Sequence, residues 1–427
     1  MTGIGGSQRL PKAYLVDLFQ AALDRVNGRL AVSRHLVERP IDSDRVAVIA
    51  IGKAASAMML GAIDALGESL ATGLLITKHD HLDDACRRHP RLDCIEAAHP
   101  VPDGNSLEAG RRLLALLSAL PPEQPLLVLI SGGASSLVEV LPEGRGVTDL
   151  EWLNQWLLSQ HLDIGQMNSL RRDVSLIKGG RLAAWLGGRK TRQLLISDVP
   201  GDQPWVIGSG LLVPPGPSAH IDPHSVERLP ERLVSLLAEA PPLPDADAAM
   251  FACIDSTIVA SNRQACEAVA AKARELGHPG DAVVIDPSPM TGDALDMGER
   301  IAGTLIASGP GVRIWGGETT VALPDHPGRG GRAQAMALKA ATLLEGRPDI
   351  CLLVAGTDGT DGPGEDAGAV VDGQTCARGR LAGLEPLVSL LEADSGTFLA
   401  ASGDLLRTGP TGTNVMDLAI GLRFERS

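Results

Sequence analysis

A glycine-rich turn is the first place where this chain could bind a ligand. Residues 125–130 form a short apolar run that predicts a strand, and Ser131-Gly132-Gly133-Ala134-Ser135-Ser136 follows at once. Two glycines between a strand and small hydroxyl residues can expose successive backbone N–H groups. We expect such a turn to bind a small phosphorylated or carboxylated ligand. The alternative is a tight turn whose serines cap the next helix.

Gly52-Lys53 holds the same position after another predicted strand, residues 45–51. The free N–H groups of a helix N-terminus, joined by an ammonium group in the first turn, make an anion site. The segment is not a P-loop, because Ala47 and Ala54 stand where that motif needs glycine and a hydroxyl residue. The alternative is a lysine at the polar start of a helix.

Two pairs of carboxylates also follow predicted strands. Asp198 and Asp202 come after residues 192–196, and such carboxylates could hold Mg²⁺ or accept the proton of a hydroxyl group. Asp358 and Asp361 bracket a glycine after the strand predicted at 350–355, although the loop lacks the final glutamate of an EF-hand. The alternative for the first pair is a turn closed by its own aspartate side chains.

A basic loop precedes the helix predicted at 332–344. Gly328, Gly330 and Ala333 fit a loose dinucleotide-binding pattern, but residues 324–327, two of them prolines, separate them from the preceding strand. We interpret the segment as a loop presenting Arg329 and Arg332 to a ligand, the alternative being a solvated basic loop. Among the histidines, His99 and the pair His79 and His81 stand out, yet none has triad or metal-ligand spacing.

Composition narrows the function classes. A net charge of −14 and an aromatic content of 2% argue against nucleic-acid binding. The first ten residues lack the apolar core of a signal peptide, and no run of about 18 apolar residues predicts a membrane span. The six cysteines form no Cys-x-x-Cys pair, which favours reduced thiols and a cytoplasmic location.

Strand and helix patterns alternate along the 427 residues, which predicts an α/β fold in two domains. A proline-rich stretch over 212–247 is the best boundary, so we assign an N-terminal Rossmann-like domain to 1–240 and a C-terminal domain to 241–427. We also predict one helix over 10–37 and strands over 250–254 and 319–323.

Taken together, ten segments in order resemble the glycerate 2-kinase family of the MOFRL type, also labelled hydroxypyruvate reductase. The N-terminal half contributes Gly52-Lys53-Ala54-Ala55, 99–103, the Ser131 turn, 167–172, 177–183 and 197–202. The C-terminal half contributes 316–321, 330–332, 357–363 and 409–414.

The resemblance implies two three-layer α/β domains with mainly parallel sheets and an interdomain active-site cleft. It further implies transfer of phosphate from ATP, with Mg²⁺ or another divalent cation, to the 2-hydroxyl of D-glycerate, giving 2-phosphoglycerate. Lys53 and Arg332 would be catalytic, Asp198 a general base or metal ligand, and Asp202 a second metal ligand. The other candidate ligand contacts are Gly52, the Ser131–Ser136 turn, Asn168, Arg171, Lys178, Gly317, Glu318, Asp358 and Asp361.

Three residues depart from the family pattern: Ala134 replaces a glycine, and Ala333 and Ala335 replace an asparagine and a glutamate. They leave alternatives open, namely a kinase for a related short hydroxy acid, an NAD(P)H-dependent hydroxypyruvate reductase, or an inactive sensor of sugar acids. We expect a small-molecule substrate, neither nucleic acid nor membrane as partner, and a monomer or homodimer.

Overall fold

The chain forms two compact units. The first unit comprises residues 28–259, and the second unit comprises residues 11–27 together with 260–425. The computed structural model describes residues 11–160, 162, 164–217 and 229–425.

The N-terminal segment is divided between the units. The single helix predicted over 10–37 is two helices, α1 (Pro11–Val26) in the second unit and α2 (Gly28–Glu38) in the first. The break is at Asn27, and Leu10 lies outside the described residues. The apolar residues of α1 are buried, and the helix packs on the sheet of the second unit, which is why it belongs there.

The first unit is built on one six-stranded sheet. Its strands are β1 (Val46–Ile51), β2 (Leu70–Lys78), β3 (Leu92–Ala97), β4 (Leu126–Ile130), β5 (Thr191–Ile196) and β6 (Ile254–Ala260), in the order β3-β2-β1-β4-β5-β6. The pairs from β3 to β5 are parallel. Every residue of β1 and β4 is buried, as expected for strands covered on both faces.

Helices connect these strands and cover the sheet. Besides α2 they are α3 (Ala55–Leu66), α4 (Asp84–Arg87), α5 (Gly104–Ala119), α6 (Ala134–Leu137), α7 (Val147–Ser159), α8 (Ile164–Asp173) and α9 (Glu231–Glu239). Leucines of α7, α8 and α9 form a core cluster of their own.

The second unit contains the other sheet. Its strands are β7 (Val283–Ile285), β8 (Gly311–Gly317), β9 (Ile350–Gly356), β10 (Gly368–Asp372), β11 (Leu405–Leu406) and β12 (Asp417–Arg423), in the order β11-β10-β9-β12-β8-β7. Its helices besides α1 are α10 (Asn262–Glu275), α11 (Ala294–Ala307), α12 (Arg332–Leu344), α13 (Thr375–Leu381), α14 (Pro386–Leu391) and α15 (Ser395–Ser402).

The α/β fold class is confirmed, but the two sheets differ in strand direction. In the second sheet only β7 and β8 pair in parallel, whereas β12 pairs antiparallel with both β8 and β9. β10 and β11 extend the sheet with further antiparallel pairs. The expectation of mainly parallel strands therefore needs a correction here, because the last strand enters between two earlier ones in the opposite direction.

Two predicted strands are wrong. Residues 249–251 form a short 3₁₀ turn, and the strand begins only at Ile254. Residues 319–323 form no strand; Thr320 makes a single bridge to Asp293, and its N–H donates to Gly292 O.

The units also divide elsewhere than at the predicted boundary of 240/241. The proline-rich stretch contains α9, whose Leu233 and Leu236 pack with leucines of α7. Arg181 Nε donates to Pro241 O at 3.0 Å, so contacts of the first unit continue past residue 240. The first unit ends at Val259, and the chain enters the second unit at Ala260. Residues 218–228 of that stretch lie outside the described part.

None of the helices that the structure describes is long and apolar enough to cross a membrane.

Candidate active site

Lys53 is held by a link between two neighbouring strand ends. The β1–β4 register pairs Ile51 with Ile130, so the turns after both strands start at the same level of the sheet. Lys53 N donates to Gly132 O at 2.9 Å, and Ser131 Oγ accepts from Ala54 N at 3.0 Å. These bonds fix the backbone of Lys53 against the glycine-rich turn.

Gly52 makes this close approach possible. Its φ is +132°, and a Cβ at this position would lie 2.2 Å from Ser131 Oγ. No other residue type fits there without moving the turn. Gly52 is therefore a point of close backbone approach between the two turns.

Asp198 lies against the same turn. A Cβ on Gly132 would come within 1.9 Å of Asp198 Oδ2, so the carboxylate occupies the space that glycine leaves open. Burial raises the pKa of Asp198, and the positive charge of Lys53 partly offsets that rise. A carboxylate with a raised pKa is a better proton acceptor near neutral pH.

His99 borders the turn from another side. A Cβ on Gly133 would lie 2.9 Å from His99 Cδ2 and 3.2 Å from Lys53 Cγ. Burial lowers the pKa of His99 to about 4, and the charge of Lys53 adds to the effect. The imidazole is therefore neutral at physiological pH, and Lys53 supplies the positive charge at this point.

The backbone of the turn is partly available for a ligand. Ser131 is fully buried and its N–H donates to Ile51 O, while Ser136 N donates to Gly133 O at 3.1 Å. Within the part of the chain that the structure describes, the N–H groups of Gly132 and Gly133 have no acceptor. They are the donors that an anion beside Lys53 would meet. Ala134, which departs from the family pattern, is fully buried.

We expect Gly132→Ala to lower turnover by about 10- to 100-fold, because its methyl group would displace the Asp198 carboxylate. The φ of Gly132 is not positive, so alanine itself causes no backbone strain there. Gly104→Ala is the matched control, since a Cβ there meets nothing within 4 Å. The measurement is the steady-state turnover of the two variants. Equal turnover in Gly132→Ala and Gly104→Ala would contradict a catalytic role for Asp198 at this position.

Asp202 lies in the turn that follows Asp198. Its φ is +53°, and its N–H donates to Val199 O at 3.1 Å. Across the described residues there is no group of three or more His, Cys, Asp or Glu side chains that could hold a metal ion. A cation here would need ligands from a substrate as well.

A small pocket, with room for about one water molecule, lies next to the turn within the first unit. Lys178 and Glu139 form a buried ion pair in its wall. The glutamate also accepts from Ser175 Oγ at 2.5 Å and from Val140 N at 2.9 Å. Lys178, predicted as a ligand contact, is therefore engaged within the protein. The lining residues are Pro100, Pro102, Ser135, Ser136, Glu139, Leu150, Leu153, Asn154, Arg171 and Lys178.

We expect Glu139→Gln to lower the free energy of unfolding by about 3–5 kcal/mol, because Lys178 would stay buried without a counter-charge. Urea unfolding followed by circular dichroism measures the loss. Glu151→Gln on the exposed side of α7 is the control and should change stability little. A loss as small as that of the control would show that the ion pair is not needed for stability.

Two predicted contacts lie on α8. Arg171 lines the pocket, and its Nε is buried without a hydrogen-bond partner in the described structure. Asn168 is half-buried one turn earlier on the same helix. Of these two residues, Arg171 lines the pocket and Asn168 does not.

The second unit places Arg332 at the first residue of α12. Its Nε and Nη2 donate to the two oxygens of Asp417 at 2.7 and 3.0 Å, and Nη1 lies 2.5 Å from Glu318 Oε1. Burial opposes the charged form, but the hydrogen bonds and charge of Asp417 outweigh it and raise the pKa of Arg332. Asp417 is 1% exposed, and burial raises its pKa although Arg332 counteracts this.

Gly317 and the two remaining carboxylates have structural roles in this unit. A Cβ on Gly317 would lie 2.4 Å from Met290 O. Asp361 accepts from Ala333 N and Gln334 N at 3.0 and 2.8 Å, so it caps the start of α12, and burial raises its pKa to about 6. Asp358 accepts from Thr360 N at 3.1 Å within its own turn.

Ala335, which departs from the family pattern, lines a small pocket in the second unit together with Val321 and Leu390. Ala333 is fully buried, and its N–H is already bonded to Asp361.

Lys53 and Arg332 belong to different units. Their meeting in an interdomain cleft stays a prediction.

Sequence reasoning missed three residues that the geometry brings forward: Asp417, Glu139 and Asn154. For Asn154 a signal existed, because it shares the apolar face of α7 with Leu150, Leu153 and Leu157. Asp417 and Glu139 meet partners far away in sequence, and no local pattern marks them. His99 was noticed, but it received no role because it has neither triad nor metal-ligand spacing.

Comparison with known proteins gives a consistent result along the chain. A family described as a domain of unknown function (DUF4147) matches residues 14–236, and the MOFRL family matches residues 311–417. The chain is 34% identical to a D-glycerate 2-kinase of Thermotoga maritima, over 96% of this chain and 98% of that protein. It is 36% identical to a putative hydroxypyruvate reductase of Agrobacterium vitis, over 95% of this chain and 93% of that protein.

A solved structure agrees in fold. The crystal structure of glycerate kinase from Thermotoga maritima matches with a TM-score of 0.85 and 32% identity, covering 97% of this chain and 99% of that one.

Proposed function

The chain belongs to the glycerate 2-kinase family, and we propose that it transfers the γ-phosphoryl group of ATP to the 2-hydroxyl of D-glycerate, giving 2-phosphoglycerate and ADP. The observation that carries the proposal is the position of Lys53 against the Gly132–Gly133 turn, whose N–H groups are free and whose glycines leave room for Asp198. A cation, two backbone donors and a carboxylate in one place are the groups that phosphoryl transfer to an alcohol requires.

The chemistry follows from these groups. The 2-hydroxyl oxygen bonds to the γ-phosphorus while the bond to the β–γ bridging oxygen breaks and ADP leaves. Asp198 accepts the hydroxyl proton, for which its raised pKa suits it. Lys53 and the N–H groups of Gly132 and Gly133 stabilise the charge on the transferring group. Arg332 adds a second cation, and contact with phosphate requires that Glu318 give way.

Mg²⁺ fits the donor set as an ion that arrives with the ATP phosphates. Such an ion usually keeps one or two protein carboxylates and takes its other ligands from phosphate and water. Asp202 is the side chain that would hold it, because Asp198 acts here as the proton acceptor. When bound, it neutralises charge on the phosphates.

A reductase acting on hydroxypyruvate is the second candidate, since a relative carries that name. The nicotinamide fingerprint is a G-x-G-x-x-G/A turn directly between a strand and a helix, and neither the β1–α3 turn nor the β4–α6 turn has that spacing. Gly328 and Gly330 lie in a loop before α12, and no strand directly precedes that loop. This geometry favours the kinase.

The test uses purified protein with Mg-ATP and a panel of short hydroxy acids. ADP release with D-glycerate, and direct use of the product by enolase, are expected. No ADP release, or loss of NADH with hydroxypyruvate in the absence of ATP, would contradict the proposal. ADP release would also exclude an inactive sensor.

We further propose that the enzyme acts in the cytoplasm as a monomer or homodimer. The six cysteines, all of them free in this structure, support a reducing compartment.

A further inference from the structure

The short helix α14 is apolar on its outer side as well as on its inner side. Its six residues include a single polar one, a serine, and that serine is buried. Leu390 packs inward against the core of the second unit. The outward side chains are Leu387, Val388 and Leu391, which are 63%, 50% and 80% exposed. A helix that is hydrophobic all round is normally buried, so this outer side calls for a cover.

The apolar surface continues beyond α14. Leu323 is 64% exposed and shares a small pocket with Leu390, so the two segments adjoin. Leu381, the last residue of α13, is 90% exposed, and α13 contacts α14. These side chains expose on the order of 500 Å² of apolar area, near the upper limit for monomeric proteins, which marks an interaction surface. We call this surface the α14 face; its residues are Leu323, Leu381, Leu387, Val388 and Leu391.

The charges around the α14 face do not suit a lipid surface. Glu385 and Glu392 stand at the two ends of α14. The nearby arginines, Arg378 and Arg380, form ion pairs with carboxylates of the same unit. Helices that lie on membranes are instead rich in Lys and Arg, which meet anionic lipids. With a net charge of −14 the chain would also be repelled by such lipids.

The two ends of α14 carry complementary groups. At its start, Arg380 Nη1 pairs with Glu345 and Nε lies 3.4 Å from Glu385, while Nη2 has no acceptor among the described residues. At its end, the exposed carboxylate of Glu392 has no partner in the same part of the chain. If α14 packs antiparallel on the α14 of a second copy, a twofold axis brings each Arg380 to the other copy's Glu392. The face is therefore complementary to itself.

We propose that the α14 face is the interface between two copies of this chain, with the two α14 helices antiparallel across a twofold axis. Such a helix is about 9 Å long, so Leu387 of each copy comes next to Leu391 of the other. A specific interface buries about 800 Å² per copy, with an apolar centre and a polar rim. The leucines supply the centre, and Arg380 and Glu392 supply the rim. This inference does not depend on the kinase activity.

The α14 face also supports the loop that leads to Arg332. Gly328 N donates to Glu392 O at 2.9 Å, and Arg329 N donates to Asp394 Oδ1 at 2.7 Å. A second copy that covers α14 therefore restrains this loop. Only the importance of this link rests on the proposed function, because the link acts through Arg332.

The first test is the oligomeric state, measured by light scattering over a wide range of protein concentrations. The unmodified chain should be a dimer that dissociates on dilution. In Leu387→Asp/Leu391→Asp the dissociation constant should rise more than about 100-fold, because charges replace two buried leucines. Leu158→Asp, at an equally exposed leucine of α7, is the matched control and should leave the dimer intact. A chain that is monomeric at every concentration, or a dimer that survives the double substitution, overturns the inference.

The second test uses a conservative substitution that leaves the apolar face in place. Val388 lies near the middle of α14, so the twofold axis should bring the cysteines of two Val388→Cys chains together. Mild oxidation should then join the copies by a disulfide bond, measured on a non-reducing gel. Leu158→Cys is the control, and the unmodified protein reports crosslinking through native cysteines. Crosslinking no more frequent than in these controls overturns the antiparallel arrangement.

Hydrogen exchange at residues 328–331 tests the link to the loop before Arg332. The amide hydrogens there should exchange faster in the monomeric double variant than in the unmodified dimer, and equal exchange overturns the link. A dimer that phosphorylates no hydroxy acid would contradict the kinase and support the interface. A monomer that phosphorylates D-glycerate would support the kinase and overturn the interface.

Discussion

Lys53→Ala is expected to lower turnover by more than about 100-fold, the scale on which removal of a positioned charge-stabilising group acts. The ammonium group has no ion pair with any residue that the structure describes, so it is available to the phosphates of ATP. Its backbone bond to Gly132 O does not depend on the side chain. The variant should therefore keep the turn and lose the charge.

The structure also predicts that Lys53→Ala stays folded. The Lys53 side chain is half-exposed, so its removal leaves little buried space unfilled. The buried carboxylate that loses a nearby positive charge is Asp198, and its pKa should rise further as a result. Lys190→Ala, an exposed lysine of the same unit, is the control. A coupled ADP assay and a thermal melt of both variants check the prediction. Turnover within 10-fold of the unmodified protein would contradict the role of Lys53.

The turns after β1, β4 and β5 could be predicted from sequence because each is a local pattern. A continuous apolar run followed by glycine and polar residues predicts a strand end, and parallel strands bring such ends to one edge. Lys53, Gly132 and Asp198 lie together at that edge. The resemblance to the kinase family added the roles that the pattern alone could not assign.

Partners that lie far apart in sequence were beyond this reasoning. Asp417 meets Arg332 because β12 inserts between β8 and β9, and no short pattern reveals that insertion. Asp361 was predicted as a ligand contact from its glycine-rich loop. The structure shows that it caps α12, because its carboxylate accepts hydrogen bonds from two backbone N–H groups of that helix. A carboxylate in such a loop can bind backbone N–H groups as well as a substrate.

Arg332→Ala is the second variant with a large expected effect, and it has two consequences that must be separated. Turnover should fall more than about 100-fold, because a cation assigned to the transferring phosphoryl group is lost. Stability should fall as well, by about 3–5 kcal/mol, because Asp417 would remain buried with no partner for its charge. A loss of activity in this variant alone could therefore come from unfolding.

A second substitution resolves the two effects. Asp417→Asn removes the buried charge, so Arg332→Ala/Asp417→Asn should recover most of the lost stability in urea unfolding but none of the turnover. Arg263→Ala, an exposed arginine of α10, is the control for loss of a surface guanidinium. Recovery of turnover together with stability would mean that Arg332 serves only to neutralise Asp417. Recovery of stability alone would leave phosphoryl transfer as the role of the guanidinium, with Asp417 holding it in place.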